Sequence, residues 1–192
     1  MNSFITAGNL LIHVLFDSYV IILLLRFILQ KLNVGWHNPL SQFILQLTDK
    51  PLQPLRKIIP LHKGFDFSVL ILAIVLQYIE VILLWWLQAG MFPNISGTLI
   101  ITVGELLSKV IYVYVYAIII NALTSWVPTL QSHPLMHIIR FIVDPLLTQV
   151  RRVIPLIAGI DISPIPAILG LTLINLLIVT PILNLGARFL MG

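Results

Sequence analysis

Cysteine is absent from the chain, which removes disulfides, thiolate metal sites and cysteine nucleophiles together. Charge is nearly as scarce. Eleven basic and seven acidic residues make up 9% of the 192 residues, where a soluble domain carries about 25%. That is too little charge to cover a water-facing surface. With 59% hydrophobic residues and a mean hydropathy of +1.04, lipid must be the main solvent. No Lys or Arg precedes Arg26, so the basic n-region of a cleaved signal peptide is missing. Enzyme signatures are absent too: there is no His/Glu metal motif, phosphate loop or nucleophile elbow. No glycine-rich carbonyl loop offers a selectivity filter. A basic, aromatic-bearing soluble surface for nucleic acid is lacking. The five His are scattered, and His13 alone falls in an apolar segment. The expectation is a non-enzymatic membrane protein with no cofactor, no metal motif and no nucleic-acid partner.

What the chain does contain, it contains twice. Residues 38–68 align without a gap on residues 133–163 at an offset of 95, with 12 of 31 positions identical. The shared set includes Pro39/Pro134, Asp49/Asp144, Arg56/Arg151, Pro60/Pro155, Gly64/Gly159, Asp66/Asp161 and Ser68/Ser163. Lys57 and Arg152 match in charge. Neutral drift would more readily keep generic apolar residues than charges and turn-formers, and a repeat sets the architecture before any other feature.

Four apolar stretches, at about 9–31, 67–90, 99–124 and 165–189, are long enough to cross a hydrocarbon core of about 30 Å, which takes ~20 helical residues. Each unit (1–95 and 96–192) therefore reads span, polar loop, span. Two spans return the chain to its starting side, so the units insert in parallel, with any pseudo-twofold axis along the membrane normal. The fold class expected is all-α, four spans in two parallel two-helix repeats. The first loop carries Lys50, Arg56, Lys57 and Lys63, and the second Arg140, Arg151 and Arg152, while the connection 88–97 carries no Lys or Arg. Basic loops stay in the cytoplasm, which predicts cytoplasmic loops and non-cytoplasmic termini. Arg188 mildly opposes this.

The loops carry helical periodicity. Leu40, Phe43, Ile44 and Leu47 fall at i, i+3, i+4 and i+7, as do Leu135, Ile138, Ile139 and Ile142. Asn38-Pro39 is an N-cap followed by proline at N1. A second stripe follows at Leu52, Leu55, Ile58 and Ile59, matched by Leu147, Val150, Val153 and Ile154, with Asp144-Pro145 able to open it. Short amphipathic helices beside spans belong in the interface plane. Ser163-Pro164 can cap the fourth span.

The pattern D-x-x-L-x-x-x-R-[KR]-x-I-P-L-x-x-G-x-D-x-S at Asp49–Ser68, repeated at Asp144–Ser163, resembles the YggT family of bacterial inner-membrane proteins, whose one-copy relatives are called YlmG-like and have plastid homologues. The resemblance covers essentially the whole chain. It implies a multi-pass inner-membrane protein without a settled biochemical activity. The family's associations are osmotic tolerance and ion homeostasis, cell division or nucleoid distribution, and cytochrome assembly in plastids. One departure is Val69, where members often have proline after the motif serine; the second copy keeps Pro164.

Two sets of residues carry the candidate chemistry. In the loops, Arg56 with Asp66 and Arg151 with Asp161 stand ten residues apart across a Pro/Gly turn, a spacing that lets a guanidinium return to a carboxylate. Alternatively Arg56, Lys57, Arg151 and Arg152 bind anionic lipid head groups, at about 1 kcal/mol each. Within the spans, His13 and Asp17 share a helix face, as do Glu105 and Lys109. Glu80 is matched by Asn175. Charges at membrane depth cost ~2.5–3.5 kcal/mol and are functional suspects. They either form one polar cluster between the units that binds or passes an ion, or self-neutralise in pairs. Arg26 is expected to snorkel. Gly170 and Gly186 are expected to permit close helix packing, and the span-end aromatics to anchor at the interface. Two functions follow. The first is a membrane interaction or assembly factor linked to envelope or osmotic homeostasis, docking a membrane-protein partner or anionic lipid through its loops, with homo-oligomerisation possible. The alternative is an ion channel or transporter component active in osmotic stress.

Overall fold

The computed structural model describes residues 2–32, 34, 38–59, 66–154 and 161–190. Pro60, Gly64, Pro155 and Gly159 of the repeated motif lie outside the described residues. Seven α-helices form, and no strand occurs among the described residues: α1 (Asn2–Lys31), α2 (Pro39–Ile58), α3 (Phe67–Ala89), α4 (Ile95–Ser125), α5 (Pro134–Val153), α6 (Pro164–Ile174) and α7 (Thr180–Leu190). A π turn at Asn175–Val179 joins α6 to α7 into one fourth span. Four helices are long and apolar enough to cross a membrane.

Each unit is two packed spans with an amphipathic helix at one end. Span α1 packs on α3, and α4 packs on α6–α7; the seam between units is where α4 meets α3 and α1. Helices α2 and α5 bracket the same end of the bundle. Both chain ends lie at the other, which is called here the terminal face. Asn38 accepts from the Leu40 N–H at 2.9 Å, the N-cap its sequence promised. His133 does the same with Nδ1 for Leu135 at 3.2 Å, a role its sequence did not signal. Asn38 Nδ2 also donates to the Pro134 carbonyl at 2.7 Å, tying the two brackets together.

Each bracket is one continuous helix, where sequence pointed to two short stripes. Prolines 51, 54 and 145 sit inside α2 and α5. Pro51 cannot donate to the carbonyl of Leu47; the Tyr19 hydroxyl donates to it instead at 3.1 Å. A side chain of the first span thus completes a bond that the helix cannot make for itself. The apolar stripes also divide differently in the two copies. Ile44 and Leu52 are buried, but Phe43 and Leu47 are exposed, whereas Ile138, Ile139, Ile142 and Leu147 are all buried. Ile58 and Val153 face outward at 79% and 80% exposure, as suits helices lying at an apolar boundary.

Proline shapes the fourth span too. Pro181 lacks an N–H, and its ring would press on the Leu177 carbonyl in a regular helix. The π turn widens the backbone just before it, so that the Thr180 N–H reaches back to Asn175 O. Close packing of α4 on α7 depends on glycine at one place above all: a methyl group on Gly97 would lie 2.5 Å from the Leu190 nitrogen. Gly186 packs on Ile101, but Gly170 faces open space and is not a packing position. Gly90 ends α3 in the left-handed conformation at φ 69°.

Candidate functional site

The repeated motif builds two clamps at the bracket end. Arg56 reaches Asp66 with Nε at 2.8 Å and with the outer guanidinium nitrogen at 2.6 Å. Arg151 reaches Asp161 the same way, at 3.0 and 2.6 Å. Here the ten-residue spacing acts as expected. The first clamp is larger and drier. Asp49 bridges Arg56 at 3.1 Å and Arg26 at 2.7 Å. Arg26 is buried rather than snorkelling, and also donates to Thr48. The second unit has Asn121 and Val143 where the first has Arg26 and Thr48. Asp144 is accordingly exposed, without an ion pair or hydrogen bond among the described residues. Lys57 and Arg152 are exposed.

Ser163 holds the N-cap position of α6 with Pro164 after it, but neither motif serine makes a side-chain cap bond. Ser68 donates to the Ile59 carbonyl at 3.3 Å, and Ser163 makes no side-chain cap bond. Its backbone N–H donates to Asp161 at 2.9 Å. Burial pushes the Asp49 carboxyl up, but hydrogen bonds and charge from Arg26 and Arg56 outweigh it and hold the group below the usual carboxylate range. Asp161 follows the same pattern, with Ser163 and Arg151 overcoming its burial. Burial works against the Arg56 charge, and Asp66 and Asp49 more than offset it, so that guanidinium holds its proton more tightly than usual.

The second site lies within the spans, where the polar residues converge instead of pairing off. Three helices supply them. From α1, His13 Nδ1 stands 3.0 Å from Glu80 Oε1 and 3.7 Å from Asp17 Oδ2. From α4, Lys109 Nζ stands 2.7 Å from Asp17 Oδ1, 3.7 Å from Glu105 and 3.9 Å from Glu80 Oε2. From α3, Gln77 accepts from Lys109 at 2.8 Å and donates to Glu80 Oε2 at 3.0 Å. The cross-helix contacts His13–Glu80, Lys109–Asp17 and Lys109–Gln77 are shorter than the i,i+4 contacts read from sequence, both 3.7 Å. Glu80 is 1% exposed and Lys109 10%, against 37% for Asp17, 39% for Glu105 and 53% for His13. Asn175 is not in the cluster; it accepts from Ser108 at 3.4 Å. That pair is the repeat image of Glu80 and His13, since both partners shift by 95 residues. One cross-span polar link therefore occurs in each unit, charged in the first and neutral in the second.

Two cavities meet at this cluster. One of about 180 Å³ lies on the terminal-face side, between His13, Glu80, Trp85, Gln88 and Leu190. The other, about 500 Å³ and apolar, runs along the pseudo-twofold axis towards the brackets. Its walls take matching positions from both units, Ile21 with Tyr116, Leu25 with Ile120, and Leu40 with Leu135. Tyr112 and Tyr116 stack at 6.2 Å along it. Asp17, Glu105 and Lys109 line both cavities, so the Asp17–Lys109 ion pair stands between them.

Sequence reasoning missed Gln77, the hydrogen-bond partner of both Lys109 and Glu80. A neutral polar residue three positions before an intramembrane glutamate was the available signal.

A chain that folds as span, bracket, span twice over, with an ionic cluster at the seam, is a multi-pass membrane protein built from a duplicated two-span unit. It belongs to the CCB3/YggT family: the family model matches residues 5–87 and again residues 100–182, two segments separated by the same 95-residue offset as the internal repeat. The chain is 38% identical over 183 residues to the uncharacterized protein PA0392 of Pseudomonas aeruginosa, covering 95% of this chain and 91% of that one. It is 32% identical over 169 residues to the uncharacterized protein YggT of Escherichia coli K12, covering 86% of each. An uncharacterized protein of Vibrio alginolyticus is 30% identical over 170 residues, 88% of this chain and 91% of its own. No solved structure matches the chain.

Proposed function

We propose that this protein serves envelope and osmotic homeostasis by reversibly binding a cation at the ionic cluster on its seam. In this reading the protein lies in the bacterial inner membrane with its brackets in the cytoplasm. One observation carries the proposal: three carboxylates, Asp17, Glu80 and Glu105, are gathered around a single ammonium, Lys109. A scaffold could neutralise its buried charges one against one. Here acid exceeds base at membrane depth, where uncompensated charge is expensive, and the excess calls for a cation or protons. The cavity on the terminal-face side gives that charge an approach, and the Asp17–Lys109 pair stands between it and the apolar cavity beyond.

The test is cation flux and cation-dependent protection in proteoliposomes. Glu80→Gln should abolish the cation response, while Arg151→Ala at the bracket leaves it within twofold of the parent. Absence of any cation-dependent response in the parent protein would refute the proposal.

A second reading, as an interaction or assembly factor, is favoured by the asymmetry of the brackets. Asp144 stands free beside Arg152 in a shallow groove with Leu32, Phe141 and Pro145, whereas its counterpart Asp49 is consumed by two arginines. A membrane-protein partner or a second copy would engage this groove. Exposed Lys50, Lys57 and Arg152 would rest on anionic head groups. Asp144→Arg would then remove a crosslinked partner band from native membranes without affecting the cation response.

A further inference from the structure

We infer that His13, Asp17 and Glu80 form a binding site for one divalent first-row transition-metal ion. The inference rests on the cation reading of the same cluster and assigns it a ligand class. The three residues each present a ligand atom, and these atoms lie within 4.8 Å of one another. Metal–ligand bonds of ~2.0–2.2 Å in a tetrahedral arrangement put ligand atoms roughly 3.3 Å apart. The imidazole nitrogen is 3.0 Å from Glu80 Oε1 and 3.7 Å from Asp17 Oδ2, so small side-chain rotations complete the spacing.

The two faces of each carboxylate are already divided. Lys109 approaches Asp17 through Oδ1 and Glu80 through Oε2. His13 faces Oδ2 and Oε1. A metal at the His13 face therefore does not compete with the ammonium for the same oxygens. Gln77 holds Glu80 Oε2 from behind at 3.0 Å, the kind of outer-shell bond that orients a ligating carboxylate.

Charge points the same way. Three carboxylates surround one ammonium, and a dication held by them and by a neutral imidazole would offset the excess of acid. The nitrogen ligand selects against Mg²⁺ and Ca²⁺, which prefer all-oxygen sites, and towards ions such as Zn²⁺. The cavity of about 180 Å³ beside His13 and Glu80 has room for water in the remaining coordination positions. Motif searches do not find such a set because its ligands are split between two helices, with 67 residues separating His13 from Glu80.

The test uses full-length protein in lipid nanodiscs, stripped with chelator and titrated with Zn²⁺, with Mg²⁺ as the comparison ion. The expected result is one Zn²⁺ per chain, X-ray absorption showing one nitrogen among oxygen ligands, and no displacement by millimolar Mg²⁺. His13→Ala should weaken binding at least tenfold, and Glu80→Gln likewise, while His133→Ala leaves it unchanged. His13 is half exposed and Glu80 keeps its bond from Gln77, so the truncated chain should still fold, and the melting temperature without metal separates any loss of stability from loss of metal binding. Failure of the parent protein to bind Zn²⁺, or unchanged binding by His13→Ala, would overturn the metal site. Monovalent cation flux lost in Glu80→Gln without any Zn²⁺ binding would also overturn it, while leaving the broader cation reading in place.

Discussion

Arg56 and Arg151 occupy the same position in the two copies of the motif, yet their removal should have very different consequences. Arg56→Ala strands the Asp66 carboxylate, whose side chain is 3% exposed. Breaking a buried ion pair by removing one partner costs about 3–5 kcal/mol. Arg151→Ala strands Asp161, which at 32% exposure stays in contact with solvent, and such pairs contribute about 0.2–1 kcal/mol. At roughly 2–4 °C per kcal/mol for a chain of this size, Arg56→Ala should lower the melting temperature by ~6–20 °C and Arg151→Ala by no more than ~4 °C. Arg56→Ala/Asp66→Asn should recover much of the loss, because the penalty belongs to the unpaired charge. Acid should probe the same clamps. Asp49 and Asp161 titrate below their ordinary range when folded. Their stabilisation is therefore complete above the unfolded carboxylate value, about 3.9, and is lost as pH falls through the lower folded values. In thermal melts in detergent from pH 7 to pH 3, the gap between the parent and Asp161→Asn should hold steady down to about pH 4 and then close. Equal melting losses for the two arginine variants, or no recovery in the double variant, would refute the burial argument.

Two further predictions concern packing and backbone satisfaction. Gly97→Ala should lower the melting temperature, because its methyl meets the backbone of Leu190 at 2.5 Å. Gly170→Ala, facing open space in α6, should be neutral or stabilising by up to about 1 kcal/mol. Tyr19→Phe should cost ~1 kcal/mol by orphaning the Leu47 carbonyl. That cost should vanish in a Pro51→Ala background, where the helix supplies its own N–H, and thermal melts of the four proteins in the cycle would show it.

Much of this architecture was legible because it rests on short-range chemistry. Span lengths follow from apolar runs, and the clamps follow from an arginine and an aspartate ten residues apart across a turn. The i,i+4 pairs His13/Asp17 and Glu105/Lys109 marked the cluster's helix faces. What escaped depended on distance in three dimensions. Lys109 belongs to Asp17 as much as to Glu105 because α4 crosses α1 at the seam, and no periodicity reports that crossing. Arg26 looked like a snorkelling residue until Asp49 and Thr48 enclosed it. The loop of the first unit read as two stripes rather than one helix because the Tyr19 hydroxyl that replaces the donor missing at Pro51 comes from another helix. Ser163 sits at the cap position as read, but the Asp161 carboxylate rather than its own hydroxyl takes up the turn.

The matched links His13–Glu80 and Ser108–Asn175 bear on why two units are joined in one chain. A twofold dimer of identical units is self-complementary, so each interface side chain occurs twice. If such a dimer carried this cluster, two sets of excess negative charge would lie within the same bilayer. Fusion releases the halves from that constraint. In this chain Asp17, Glu105 and Lys109 have Tyr112, Leu10 and Val14 as their counterparts, so each half brings charges to the seam that the other half does not repeat. Covalent linkage here acts as a licence for asymmetry, and a chain cut between residues 90 and 94 and reassembled from its halves should still choose its opposite rather than its twin.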